Sequence, residues 1–348
     1  KPPSRVGEIV GLLSKYVGNE TIISDNKDFD EDDVSGVPRR TEHSESARQE
    51  RIKWLKERTG VELKYVLGKT ISSEILKGNI EHYIGMSQIP IGIAGPMKVN
   101  GENANGLFYV PLATTEGALV ASVNRGMHII TKAGGANTKV LSEQLTKAPM
   151  FIFENGESAI RFVQWVEKNF DNLKGVTEST TKHGKLIGID KFLIGRRVII
   201  KLCYSCGDAL GANMITIATQ KICEFIKKNY PIENYLLQSN LEGEKKVSYL
   251  NFFSGRGKRV YADVIIKRDI VEKYLHTSVE EMVYLAHSSL YGSLISGMIG
   301  ANAHIANILT AIFISTGQDV AHVHDASIGV TTIDKDKNGD LYISVNLP

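Results

Sequence analysis

Gly207-Asp208-Ala209-Leu210-Gly211-Ala212-Asn213-Met214 stands between two runs of different periodicity. Before it, Arg197-Val198-Ile199-Ile200-Lys201-Leu202-Cys203-Tyr204 is apolar and β-branched, which predicts a buried strand. After it, Ile215 to Lys228 carries apolar residues at helical spacing, and Asn229 and Pro231 stop the run. A small-residue turn that opens a helix lets backbone N–H groups approach an anion, and the helix dipole favours negative charge there. A dinucleotide pyrophosphate suits such a turn. The turn is not GxGxxG, so the usual Rossmann fingerprint is absent. A plain strand–helix corner reads the same way, and this segment alone leaves both open.

Working outward, Glu157 to Phe170 places Ala159, Phe162, Val163, Val166 and Phe170 on one helical face. Strands follow at Lys185 to Ile189 and Arg197 to Cys206, then the helix from Ala212 and a strand near Asn234 to Gln238. Helix, two strands, helix, strand is the order of a split βαβ or ferredoxin-like unit. Towards the N-terminus, Thr114 to Lys132 reads as a long amphipathic helix ending at Gly134-Gly135, and residues 80–112 read as strands and turns. Ser44 to Arg58 reads as a helix stopped by Gly60. Residues 1–40 are polar, with a helix expected around Val6 to Tyr16 and an acidic run, Asp28 to Asp33, expected to be a solvated linker. Towards the C-terminus, Val247 to Phe253 and Arg259 to Ile266 flank Ser254-Gly255-Arg256-Gly257 and predict a hairpin. Thr277 and Ser278 offer a capping box with Glu280 and Glu281. Asn302 to Thr316 reads as a helix closed by Gly317, and Asn338-Gly339 as a hairpin turn.

The 348 residues carry 41 basic and 39 acidic side chains, a balance that demands neither nucleic acid nor a membrane surface. No stretch reads as a signal peptide or membrane span. The most apolar region, Ile295 to Ser315, is interrupted by Asn302, His304 and Asn307 and reads as buried helix. Three cysteines point to a reducing compartment, the cytoplasm, rather than a disulfide scaffold. Cys203 and Cys206 form a CxxC, but residues three apart on a strand face opposite ways, so no metal site is expected.

Four places set an ionisable residue among small or apolar neighbours: Glu81, Arg125, Lys245 with Lys246, and Asp319. Taken singly, each has a bland reading as a cap, a salt-bridge partner or part of a wet loop. Together they fit a pattern whose motifs resemble those of class I 3-hydroxy-3-methylglutaryl-CoA (HMG-CoA) reductases. The motifs are the Glu81 segment with Ile89-Pro90-Ile91-Gly92-Ile93-Ala94-Gly95-Pro96, TTEGALVAS (Thr114 to Ser122), and the opening octapeptide, which resembles the family's DAMG-type cofactor motif. EKK (Glu244 to Lys246) with GRGK, and NAHIANI with GQD (Asn302 to Asp319), complete the set. Several such matches in order are far more specific than one. The likeness runs from about Arg39 to Pro348 and is closest to the archaeal forms.

The resemblance implies an α+β fold: a small helical N-terminal segment (1–40), a large α/β HMG-CoA-binding domain (41–126 and 238–348) and an inserted ferredoxin-like NADP(H)-binding domain (127–237). It implies reduction of HMG-CoA to mevalonate and coenzyme A with two NADPH, in a homo-oligomer whose active site forms between subunits. Hydride attack on a thioester leaves an oxyanion that needs a fixed cation, and Lys245 matches the family's catalytic lysine. Glu81 matches the proton-donating acid, which needs a raised pKa, and Asp319 the buried aspartate that tunes the pair. Asn302 matches the amide that orients the lysine. Arg125 and Lys246 match residues that hold the substrate carboxylate. Asp208, Gly211, Asn213 and Met214 match the cofactor segment, and Lys182, His183 and Lys185 fall where the family meets the 2′-phosphate.

Some positions depart from the family. Ser288 stands where the family has a substrate-binding lysine, Glu244 replaces an aspartate, and His82 an asparagine. His322-Val323-His324-Asp325 also departs, and its His-x-His is a weak metal signal. The family's C-terminal histidine, which protonates the departing thiolate, is expected beyond Pro348. The alternative left open is a non-catalytic paralogue that binds CoA thioesters.

Overall fold

The computed structural model describes residues 38–39, 42–60, 62, 71–207 and 211–348. The expected helix at Val6 to Tyr16, the acidic run and Asp208 lie outside the described residues. The chain divides into two units, Lys1–Ile89 and Pro90–Pro348. In the first, helix α1 (Glu45–Thr59) starts at Ser44, whose side chain accepts from the Ala47 N–H, and ends at left-handed Gly60, as the sequence predicts. Its inward face carries two buried arginines, Arg48 and Arg51, beside Ala47 and Ile52.

The second unit is organised by strand β3 (Ala136–Lys147), whose residues carry no periodic apolar pattern. Its first three residues pair with β1 (Ile91–Gly101) in parallel, Asn137 to Gln144 pair with β8 (Gly257–Ile266) antiparallel, and its last three residues pair with β6 (Arg197–Ser205). Strand β2 (Asn105–Ala113) pairs with β1, and β5 (Lys185–Ile194) with β6. With β4 (Met150–Ile152), β7 (Asn234–Leu236), β9 (Val330–Lys335) and β10 (Leu341–Leu347), the path runs β7-β4-β6-β3-β8-β10-β9. The Asn338-Gly339 turn does join antiparallel β9 and β10.

Strand β6 is buried along most of its length, so its apolar run has no alternation. Helices α3 (Gly156–Lys168), α4 (Phe170–Thr180) and α5 (Ala212–Asn229), numbered after α2 (Leu119–Lys132), contribute to its core. Phe151, Phe153, Phe162, Leu173, Ile200 and Ile222 are at most 1% exposed, each stabilising by roughly 1.5–3 kcal/mol. The run read as one helix to Phe170 is two, because Asn169 leaves helical geometry and caps α3.

Three further expectations are corrected. Thr114 to Ala118 is a turn, with Thr114 Oγ1 accepting from the Glu116 N–H and Ala118 at φ 66°, so α2 begins at Leu119. Residues 247–253 are no hairpin arm: Ser248 caps a short helix, α6 (Tyr249–Ser254), because a brief apolar run fits either period. The apolar region Ile295 to Ser315 is no single buried helix. After α7 (Arg268–Leu275), α8 (Val279–Ser296) opens on the Ser278–Glu281 capping box and stops at left-handed Gly297. The next helix, α9 (Ile305–Ser315), starts eight residues later, where Asn302 Oδ1 accepts from the Ile305 N–H. Apolar residues lie all round α8, so Tyr284, Tyr291, Leu294 and Ile295 stay exposed.

Candidate active site

The loop between β7 and α6 is held by Asn251, whose Nδ2 donates to Gly243 O at 2.7 Å and Lys246 O at 3.2 Å. A Cβ on Gly243 would stand 2.3 Å from Asn251 Oδ1, so this approach requires glycine. Lys245 then adopts a left-handed φ of 55°, uncommon for a residue with a side chain. Its backbone N–H donates to Asp325 Oδ2 at 3.1 Å. Its ammonium lies 2.6 Å from Asp319 Oδ2. Both ends of Lys245 are therefore fixed by carboxylates.

Beneath it is a buried charge cluster. Arg256 Nε meets Asp325 Oδ2 at 3.0 Å, and Nη2 lies 3.3 Å from Glu244 Oε2. Arg256 Nη1 donates to Thr146 Oγ1 and Glu242 O, each at 3.1 Å, and Lys147 reaches Glu244 at 2.8 Å. Side chains of Arg256, Asp325 and Lys147 are 2%, 4% and 3% exposed, so each charge relies on these partners rather than water. Burial raises the Glu244 carboxyl, but Lys147, Arg256 and His322 outweigh it and leave the pKa below its usual value. The hydrogen bond from Lys245 holds Asp319 low, helped by the Ala321 N–H; reciprocally, Asp319 raises Lys245. Asp319 is therefore ionised and Lys245 protonated at neutral pH. Within the single chain Asp319 is 47% exposed, and the aspartate buried beside Lys245 is Asp325.

The motifs converge here in part. Glu244 and Arg256 join EKK to GRGK, and Lys245 joins both to GQD. Asn307 Nδ2 donates to Glu116 Oε2 at 3.0 Å, joining NAHIANI to TTEGALVAS. Asn302 spends its amide on Ser327 O and Gly329 O, at 3.1 and 3.0 Å, so it braces the segment after Asp325. Arg125 is exposed on α2, Ser288 is exposed on α8, and Lys246 Nζ turns back to Glu244 O at 2.9 Å. In the first unit, exposed Glu81 belongs to a bend pinned from α1: Arg51 Nε donates to Tyr83 O at 3.0 Å and Arg48 Nη1 to Ile84 O at 3.0 Å.

At the other candidate site, left-handed Gly211 precedes α5, and a Cβ there would lie 2.9 Å from Cys206 Sγ. Thr181 Oγ1 donates to Met214 Sδ at 2.8 Å and accepts from the His183 and Gly184 N–H groups at 3.1 and 3.2 Å. That turn brings the exposed side chains of Lys182, His183 and Lys185 to the helix start where Asn213 is also exposed. The sequence reading missed Arg256, Asp325, Lys147 and Asn251 as parts of the lysine site. GRGK flagged Arg256, but no local pattern links residues about 70 to 100 positions apart.

A mixed antiparallel and parallel sheet with helices, a clamped lysine–aspartate pair and a small-residue helix start together define a mixed helix-and-sheet protein with two candidate sites. The family profile for hydroxymethylglutaryl-coenzyme A reductase matches residues 47–348. The chain belongs to that family. It is 45% identical over 313 residues to the 3-hydroxy-3-methylglutaryl-coenzyme A reductase of Methanocaldococcus jannaschii, covering 88% of this chain and 77% of the relative. The Pyrococcus horikoshii protein of the same name is 44% identical over 306 residues, covering 87% and 74%. In fold, the chain is similar to the reductase of Streptococcus pneumoniae, with a TM-score of 0.61 at 17% identity over 86% of this chain and 73% of that one. A class II structure of the S. pneumoniae enzyme, bound to NADPH, matches with a TM-score of 0.60 at 16% identity over 86% and 83%.

Proposed function

We propose that this chain reduces HMG-CoA to mevalonate and coenzyme A with two equivalents of NADPH. The observation that carries the reading is Lys245, a cation fixed through its backbone by Asp325 and through its ammonium by Asp319. A thioester carbonyl that accepts hydride becomes an oxyanion, and a preorganised ammonium stabilises it without reorganising at that moment. Asp319 keeps Lys245 charged and aimed. Glu81 supplies the proton to the developing alkoxide, and Arg125 and Lys246 hold the free carboxylate of the substrate. Asn302 acts on the site by bracing the turn behind Asp325, rather than by a bond to the lysine.

When bound, NADPH supplies the hydride. The residues fit it: Gly211 opens α5 where a Cβ would collide, at a helix start whose dipole favours a pyrophosphate, and the turn tied to Met214 presents Lys182 and Lys185 to a 2′-phosphate. Asp208 belongs to the same segment. We read residues 127–237 as the inserted ferredoxin-like cofactor domain, 41–126 with 238–348 as the substrate domain, and 1–40 as the helical N-terminal segment. The exposed apolar side chains of α8 support a homo-oligomer. Among the described residues no helix is long and apolar enough to cross a membrane. The three cysteines are free and buried, which suits a reducing compartment such as the cytoplasm.

The test is HMG-CoA-dependent NADPH oxidation by the full-length protein. Lys245→Ala should lose on the order of 10² to 10³ in turnover with little change in melting temperature. Thioester binding without any turnover in the wild type would overturn the reading in favour of a binding paralogue.

A further inference from the structure

The two histidines after GQD do not form a pair. His324 Nδ1 lies 3.0 Å from Ala321 O, within its own turn. His322 turns inward, with a side chain 16% exposed. Its Nδ1 lies 3.2 Å from Asp325 Oδ2 and 3.3 Å from Oδ1, and its Nε2 lies 4.0 Å from Asp319 Oδ2. One imidazole thus stands between the carboxylate that holds the Lys245 backbone and the carboxylate that holds its ammonium.

We propose that His322 is a positioning residue for Lys245, acting through the buried Asp325 anchor. The proposal rests on the reading of Lys245 as the oxyanion-stabilising cation. Asp325 accepts from Nδ1, which fixes the ring and turns Nε2 towards Asp319. At 4.0 Å this is no hydrogen bond, so Asp319 Oδ2 remains with Lys245. The ring thereby holds Asp325 where it accepts from the Lys245 backbone N–H, and so fixes the end of Lys245 that Asp319 does not. Asp319 and Asp325 face the ring from its own turn and Glu244 from the loop before α6, while Lys245 and Arg256, just before β8, meet those carboxylates rather than the ring.

Asparagine sets an amide near the Nδ1 position and can keep the Asp325 bond; glutamine reaches the Nε2 position. In the full-length protein, with wild type and Lys245→Ala as controls, His322→Ala should lower kcat about tenfold, the scale of a slightly misplaced catalytic group. KM for HMG-CoA and NADPH should stay within about twofold of wild type, since the ring acts through Asp325. His322→Asn should restore most of the lost kcat, and His322→Gln should not. If His322→Ala folds poorly, the contrast between asparagine and glutamine carries the same test. Wild-type kcat in folded His322→Ala would overturn the proposal, as would equal loss in His322→Asn and His322→Gln. Absence of HMG-CoA-dependent turnover in the wild type, or undiminished turnover in Lys245→Ala, would instead overturn the functional reading beneath it.

Discussion

The layer around β6 and the cluster beneath Lys245 are equally dry but are held by opposite kinds of force. In the first, Phe162 packs on Phe153 and Phe151 with ring centroids 4.9 and 5.1 Å apart, and any side chain of similar volume serves. In the second, Arg256 divides its nitrogens between Asp325, Glu244, Thr146 and Glu242, and only a planar fork reaches them all. Apolar burial tolerates substitution because dispersion and water exclusion have no direction. A buried ion cluster does not, because losing one partner leaves a charge without solvent.

The sharpest way to break this comparison is a pair of truncations with a pair of conservative changes. Phe162→Ala and Arg256→Ala should each cost about 3–5 kcal/mol in urea unfolding. Phe162→Leu should recover most of that stability. Arg256→Lys should not, and it should also lose turnover, because Asp325 and Glu244 position the Lys245 loop. Equal recovery by both conservative changes would show that the cluster is no more selective than the core.

A smaller effect is expected at the exposed turn that carries Lys182 and Lys185. Replacing Lys182 and Lys185 together by alanine should raise KM for NADPH far more than for NADH, since only the former carries the 2′-phosphate. Equal loss for both would place these lysines elsewhere. Melting temperature should barely move, because both side chains are exposed.

The smallest effect concerns pH. Asp319 is held below its ordinary value of 3.8, so its contribution to stability is present above that pH and fades as pH falls through the lower folded value. Lys245 is held above 10.5, so its contribution is complete below that pH and is lost as pH rises through the higher folded value. The pair is about half exposed, and screening keeps its stabilisation to at most about 1 kcal/mol. Asp319→Asn should therefore flatten the acid limb of a stability–pH curve only slightly while reducing turnover strongly. A large shift in stability would mean that the pair serves the fold more than the chemistry.

Elements with strong local signals were legible from the chain. Ser44 and Gly60 mark α1, Ser278 and Glu281 open α8, Asn338-Gly339 turns β9 into β10, and the run before Gly207 is the buried strand. Their physics is local: a cap, a left-handed turn or a period of apolar side chains acts within a few residues. The family motifs pointed to Lys245 and Asp319, whose side chains meet at 2.6 Å. Tertiary structure decided the rest. Strand β3 has little apolar rhythm because it is defined by partners on both sides, and α6 differs from a strand only through its Ser248 cap. The carboxylate that anchors Lys245 lies 80 residues away in the chain, and Arg256 reaches it across 69. Sequence set which groups carry charge; folding decided which of them lost water together, and that loss is what ties Asp325, Arg256 and His322 to the lysine.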